Sequence, residues 1–123
     1  MALSLSPIVA DTGTIYATQT DATSAIDPLK ASAGVLYKVE INNADNPSPV
    51  FVKLFNSANP LAVTVGTTAP EWVFKCPASV TRVYSAPKGS AFSAGLLACC
   101  VTTPGTGGTA NPTNDVVYRI LLG

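Results

Sequence analysis

The chain has 123 residues, of which 47% are hydrophobic and 11% charged, with seven basic and seven acidic side chains that cancel and no histidine. That length bounds one domain large enough to bury its own core. The charges are scattered, which excludes the phosphate-neutralising patch of a nucleic-acid binder and the polybasic segment of a membrane-surface anchor.

Soluble domains usually carry roughly 25% charged residues. The deficit predicts that part of the surface meets other protein rather than water. Met1–Ala10 is mildly apolar but lacks a positive start and contains Pro7, so no targeting segment is expected. No apolar run approaches the ~20 residues of a membrane helix. Asn46-Pro47-Ser48 and Asn111-Pro112-Thr113 fail as glycosylation acceptors because proline holds the middle position.

In chain order, residues 1–33 are rich in Ala, Ser, Thr and Asp and read as an N-terminal arm, flexible or extended, with one short strand. That strand lies within Thr12–Thr18, around Ile15 and Ala17. Ile26–Leu29 is a second short extended piece, because the residue before Pro28 is pushed out of helical backbone. Residues 34–123 read as the folded domain. Val35, Tyr37, Val39 and Ile41 alternate with Leu36, Lys38 and Glu40, a period of two that places four apolar side chains on one face. Val50–Phe55 alternates likewise. The Asn-, Asp- and Pro-rich Asn42–Pro49 turns the chain between them, and so short a connection predicts an antiparallel hairpin. Asn56–Pro70 is a loop. Glu71–Cys76 is a strand with Trp72, Phe74 and Cys76 on one face. Val80–Ser85 is a strand, and Ala86–Ser90, with Pro87 and Gly89, is a turn. Leu96–Thr103 is apolar on both faces and predicts a central strand. Pro104–Asn114 is a loop, and Val116–Leu122 closes the chain with Val116, Tyr118, Ile120 and Leu122 on one face. Seven or eight short strands and no helical period predict an all-β fold, an antiparallel β-sandwich of Greek-key or jelly-roll type.

Asp11-Thr12-Gly13 after Ile8 and Val9 has the form of the loop that supplies one carboxylate per subunit in dimeric aspartic proteases. Only ten residues precede Asp11 and Leu121-Leu122-Gly123 closes the sequence, so the strands, helix and dimer strand of such an enzyme are not expected. Asp11 is read as part of a turn. Nucleophilic catalysis lacks a histidine base. Lys75 and Cys76, as strand neighbours, face opposite ways. Gly105–Gly108 lacks the Lys-Ser/Thr ending of a phosphate loop and reads as surface. Cys76, Cys99 and Cys100 are read as buried thiols in a reducing compartment, with a disulfide from Cys76 to Cys99 or Cys100 as the alternative. Trp72, Phe74, Tyr84 and Phe92 are either core or a ligand platform, and Lys38 and Glu40 share an exposed face. No catalytic, cofactor-binding or metal-binding residue is assigned, and no cofactor is expected.

From Tyr37 onward the chain resembles small virion structural proteins of tailed bacteriophages, especially those that decorate or cement the capsid. The resemblance rests on Tyr37–Asn43, Val52–Asn56, Val65–Pro70, the strand through Phe74, Phe92–Leu96 and the loop Thr103–Asn114 followed by Val116–Leu122. It implies a β-sandwich without catalytic residues, located on the capsid surface of a virion assembled in a bacterial host's cytoplasm. Its partners would be the major capsid protein and copies of itself, as a homotrimer or other cyclic oligomer, with no nucleic acid and no membrane. Similar sandwiches serve in tails, necks and fibre bases, and a surface carbohydrate- or ligand-binding module is the reading from a different class. The arm and the loops Asn56–Pro70 and Pro104–Asn114 are the expected contact regions.

Overall fold

The structure, a computed structural model, describes residues 3–7 and 14–123. Among these residues there are nine strands: β1 (Leu3–Pro7), β2 (Ile15–Gln19), β3 (Asp27–Lys30), β4 (Gly34–Asn42), β5 (Val50–Phe55), β6 (Trp72–Cys76), β7 (Thr81–Phe92), β8 (Leu96–Val101) and β9 (Val117–Leu122). They form two antiparallel sheets, one of five strands in the order β1-β2-β9-β4-β7 and one of four in the order β3-β8-β5-β6. This is the all-β sandwich that the strand periodicity predicts.

Alternation builds the core. In β9, Tyr118, Ile120 and Leu122 are fully buried between the sheets while Arg119 is exposed. Val52 and Leu54 of β5 and Leu96, Ala98 and Cys100 of β8 meet them from the other sheet. All six residues of β8 are buried, and it lies between β3 and β5, the central position that its two apolar faces require.

Three expectations are corrected. First, β4 and β5 are not a hairpin. β4 pairs with β7 and β9, and β5 pairs with β6 and β8, so the connection is a corner between sheets. A short connection can also cross the ~10 Å between packed sheets, and here its ends are fastened to both. Asn43 donates from Nδ2 to the Ser48 and Pro77 carbonyls at 2.9 and 3.1 Å. Asn46 exchanges hydrogen bonds with the Asn114 backbone at 2.8 and 3.1 Å.

Second, Ala86–Ser90 is not a turn between strands. Strand β7 runs through it, and the ladder with β4 shifts so that Ala86–Gly89 stand opposite Tyr37 alone. Gly89 adopts φ +79°, and a Cβ there would come within 2.0 Å of Val35 Cγ1. Against β9 it is β4 that carries the extra residue, because Leu36 stands opposite Leu122 and Lys38 opposite Leu121 with Tyr37 between them, and an extra residue reverses the alternation of its own strand beyond it. Leu36, Val39 and Ile41 therefore enter the core, rather than the expected set of Val35, Tyr37, Val39 and Ile41. An edge strand is where such a bulge and Pro87 are tolerated.

Third, residues 1–33 supply more than one strand. Ile15–Gln19 pairs with β9, Asp27–Lys30 pairs with β8, and Leu3–Pro7 extends the first sheet beyond β2. Ala17 is fully buried. The expected boundary between residues 33 and 34 thus falls between β3 of one sheet and β4 of the other.

Candidate interaction surface

The outer face of the four-stranded sheet is covered by its own loops. Phe55, Leu97, Cys99 and Val101 point away from the main core into a second cluster closed by Val63 of the β5–β6 connection. Lys53, on the same face, is 1% exposed. Its ammonium donates to the carbonyls of Gly105 at 2.7 Å and Gly108 at 3.1 Å. The glycine-rich loop therefore turns carbonyl oxygens inward onto a cation, the opposite polarity from a phosphate cradle. Gly66, at φ +97°, brings the two loops together: a Cβ there would lie 2.5 Å from Thr109 Cγ2. Neither Asn56–Pro70 nor Pro104–Asn114 contains a charged residue, so this loop layer is an uncharged surface.

Within the β5–β6 connection a 3-10 turn, Pro60–Ala62, carries Leu61 at 92% exposure. The side chain of Asn59 caps the turn by accepting from the Leu61 backbone N–H at 3.0 Å.

The predicted aromatic set divides. Phe92 is in the core at 2% exposure. Trp72, Phe74 and Tyr84 are half-buried and meet where the edge strand β6 of one sheet approaches the edge strand β7 of the other. The rings of Phe74 and Tyr84 lie 5.1 Å apart at 48°, within the range of favourable aromatic pairs. The Tyr84 hydroxyl donates to the Lys75 carbonyl. Beside them is a cleft of about 170 Å³, open on one side, with Leu36, Val39 and Ser90 completing its wall. Lys38 is the one charged residue that lines it. The bulge in β7 opens this cleft, because a regular ladder would bring the strand against β4 along its whole length.

A buried polar cluster joins the sheets elsewhere. Asp27 of β3 accepts from the Tyr118 hydroxyl of β9 at 2.5 Å and from Gln19 Nε2 of β2 at 3.0 Å, and all three residues are fully buried. Burial pushes the Asp27 carboxyl above the usual carboxylate range, against the opposing pull of these hydrogen bonds. Burial, with the Asp27 charge second, also raises the Tyr118 hydroxyl. Sequence reading noted Asp27 only as the residue before a proline. A polar residue in an extended, partly apolar segment carries no signal of a partner about ninety residues away.

The three thiols are free and buried, which settles the alternatives for the cysteines in favour of unpaired side chains. Cys99 faces the loop-covered cluster and Cys100 the main core. Burial raises the Cys99 thiol to about 12 and raises Cys76 and Cys100 as well. All three stay protonated, and so poorly nucleophilic, at neutral pH. Among the described residues no group of three His, Cys, Asp or Glu side chains is placed to hold a metal ion. Glu40 pairs with Arg119 at 3.0 Å across the β4–β9 ladder. Asp11-Thr12-Gly13 lies outside the described residues. Comparison of the chain with family models, curated proteins and solved structures returns no match.

Proposed function

We propose that this protein is a non-enzymatic component of a bacteriophage virion, a decoration or cement protein that binds the mature capsid shell and stabilises it. The observation that carries the reading is the uncharged loop layer over the four-stranded sheet. Asn56–Pro70 and Pro104–Asn114, two of the segments expected to make contact, approach each other at Gly66 and Thr109 and carry no charged side chain, and Lys53, on the face they cover, is buried against the Gly105 and Gly108 carbonyls. Uncharged surface is inexpensive to desolvate, so it suits a protein that works by contact area. The resemblance of Tyr37–Leu122 to capsid-decorating proteins agrees with this.

The mechanism is binding linkage. A subunit that touches several capsid proteins at once buries its surface only when they occupy the mature lattice, and so adds stability to that lattice alone. Each specific contact should bury on the order of 1,200–2,000 Å² in total. The partners in this reading are the major capsid protein and further copies of this chain in a cyclic oligomer, at the capsid surface.

The test is the copy number of the chain relative to the major capsid protein in purified particles, by quantitative mass spectrometry. A ratio near one, or a simple fraction of it, supports the shell. A ratio of a few per cent moves the protein to tail, neck or fibre base, and absence from particles refutes the virion reading. One observation favours a second reading as a surface carbohydrate- or ligand-binding module: the cleft walled by Trp72, Phe74 and Tyr84. Hits on a glycan array that are lost in Trp72→Ala would support it.

A further inference from the structure

The molecule presents both a knob and a hole. Leu61 is the most exposed large hydrophobic residue among those described. The Trp72–Phe74–Tyr84 cleft is apolar, open, and unfilled by the described residues. We propose that Leu61 of one copy inserts into this cleft on a second copy, so that the chain associates with itself head to tail. The inference rests on the self-association part of the function proposed above and not on the capsid part.

The knob is pre-organised. Pro60 fixes the backbone before Leu61, and Asn59 caps the turn. The Ala62 N–H donates to the Asn59 carbonyl at 3.0 Å, and the Asn59 N–H donates to Ser57 Oγ at 3.2 Å. Val63, directly after the turn, is anchored in the loop-covered cluster. A side chain held out on so constrained a support loses little further freedom when it is buried.

The sizes agree. An apolar cavity of about 150 Å³ takes one benzene ring, and a leucine side chain is of that scale, so a cleft of about 170 Å³ holds one such group. The charges agree as well. Asn56–Pro70 carries none, and Lys38 alone lines the cleft, at a position from which its flexible stem can keep the ammonium in water. No ion has to be stripped of solvent, and no like charges are brought together. An apolar anchor in an aromatic-walled pocket is also the usual chemistry of an interface hot spot.

Knob and hole sit on different patches, the β5–β6 connection and the β6–β7 edge. The contact is therefore heterologous, and a rotation that closes gives a ring rather than a two-fold dimer. The uncharged loop around Leu61 supplies the remaining contact area.

The test uses the purified full chain at about 100 μM in sedimentation velocity, since assembly depends on concentration. Leu61→Asp removes the knob at a position that is almost fully exposed among the described residues. Ala86→Phe fills the hole from the bulge, with Ser90→Phe in its place if that variant does not fold. The wild-type chain is expected to form a closed oligomer, and each variant to be monomeric, an association at least about tenfold weaker, with the urea midpoint that the wild-type chain shows when diluted to monomer. Mixed together, the two variants should form a binary complex that grows no further, through the intact knob of one and the intact hole of the other. Trp72, the single tryptophan, should report that complex by a change in fluorescence. A wild-type chain that is monomeric overturns both this contact and the cyclic oligomer, while leaving capsid binding standing. An oligomer that persists in Leu61→Asp, or variants that fail to complement, overturns the knob-in-hole contact alone. A Trp72 response to phenol or a methyl glycoside, with assembly unaffected by Leu61→Asp, assigns the cleft to a small ring ligand instead and overturns the proposal.

Discussion

Replacing Asp27 by alanine should be among the most damaging single changes in the protein, and the reason lies in what it leaves behind. The carboxylate accepts from Gln19 Nε2 and from the Tyr118 hydroxyl, both fully buried. Alanine leaves the Tyr118 hydroxyl without its acceptor, away from water, and takes one partner from the Gln19 amide. A buried donor left without a partner costs about 1–3 kcal/mol, so the Tyr118 hydroxyl alone costs that much, a sizeable part of the ~5–15 kcal/mol that holds a domain folded. Asp27→Asn is milder. Its Oδ1 still accepts from Tyr118, but its amide then faces the Gln19 amide. If Gln19 turns over to accept, it gives up the bond from the Asp21 N–H. One hydrogen bond lost predicts a cost of about 1 kcal/mol.

The same pair of variants tests the titration. Burial holds the folded-state pKa of Asp27 above its ordinary value of 3.8. Between these two values the folded chain holds a proton that the unfolded chain has released, so stability falls as pH rises through that window and is flat above it. Urea unfolding of the wild-type chain and Asp27→Asn from about pH 3 to pH 8 measures the difference. The wild type should lose stability relative to Asp27→Asn as pH rises, because only it has a carboxyl to ionise. A difference that is flat across the range, or one that grows in favour of the wild type, refutes the assignment of a raised pKa. A cost below about 1 kcal/mol for Asp27→Ala refutes the claim that this cluster ties the two sheets.

Lys53→Met takes the ammonium from the Gly105 and Gly108 carbonyls, the first of which keeps the Gly108 N–H, and with two hydrogen bonds to a charged group worth about 1.5–3 kcal/mol each it should destabilise by about 3–6 kcal/mol. Limited proteolysis should then cut within Pro104–Asn114, and an uncut loop would show that Lys53 does not hold it. Gly89→Ala meets both a positive φ and a Cβ 2.0 Å from Val35 Cγ1, and should cost about 2 kcal/mol or more by denaturation. The native protein should not react with Ellman's reagent near neutral pH, whereas denatured protein should release the full equivalent of Cys76, Cys99 and Cys100. Rapid labelling of native protein would contradict their burial.

These predictions also change how attachment to a shell has to be tested. Deleting residues 1–33 removes β2 and β3, one from each sheet, and so should unfold the sandwich rather than report on an arm. Substitutions in the exposed loop layer, where side chains do not support the core, are the informative ones.

Much of this fold is legible along the chain. The two-residue period in Val116–Leu122 and in Trp72–Cys76 names their buried faces, because a strand alternates its side chains whatever it pairs with. The apolar double face of β8 marks it as central for the same reason. The low charge and the uncharged loops are likewise properties of composition. Pairing is not local in this sense. Asn42–Pro49 turns the chain equally well within a sheet or between sheets, and only the competition of β7 and β9 for β4, and of β6 and β8 for β5, decides between them. Pro87 and Gly89 announce an irregularity but not its kind, because a bulge exists only relative to a partner strand, here Tyr37 in β4. The aromatic cleft and the Asp27–Tyr118–Gln19 cluster belong to the same class. The sequence by itself determined which side chains alternate, which segments are uncharged and that the fold is all-β, since these follow from backbone geometry and composition. Only the tertiary structure decided which strands meet, where the edge opens and which polar groups are buried together, since these depend on residues far apart in the chain being brought into contact.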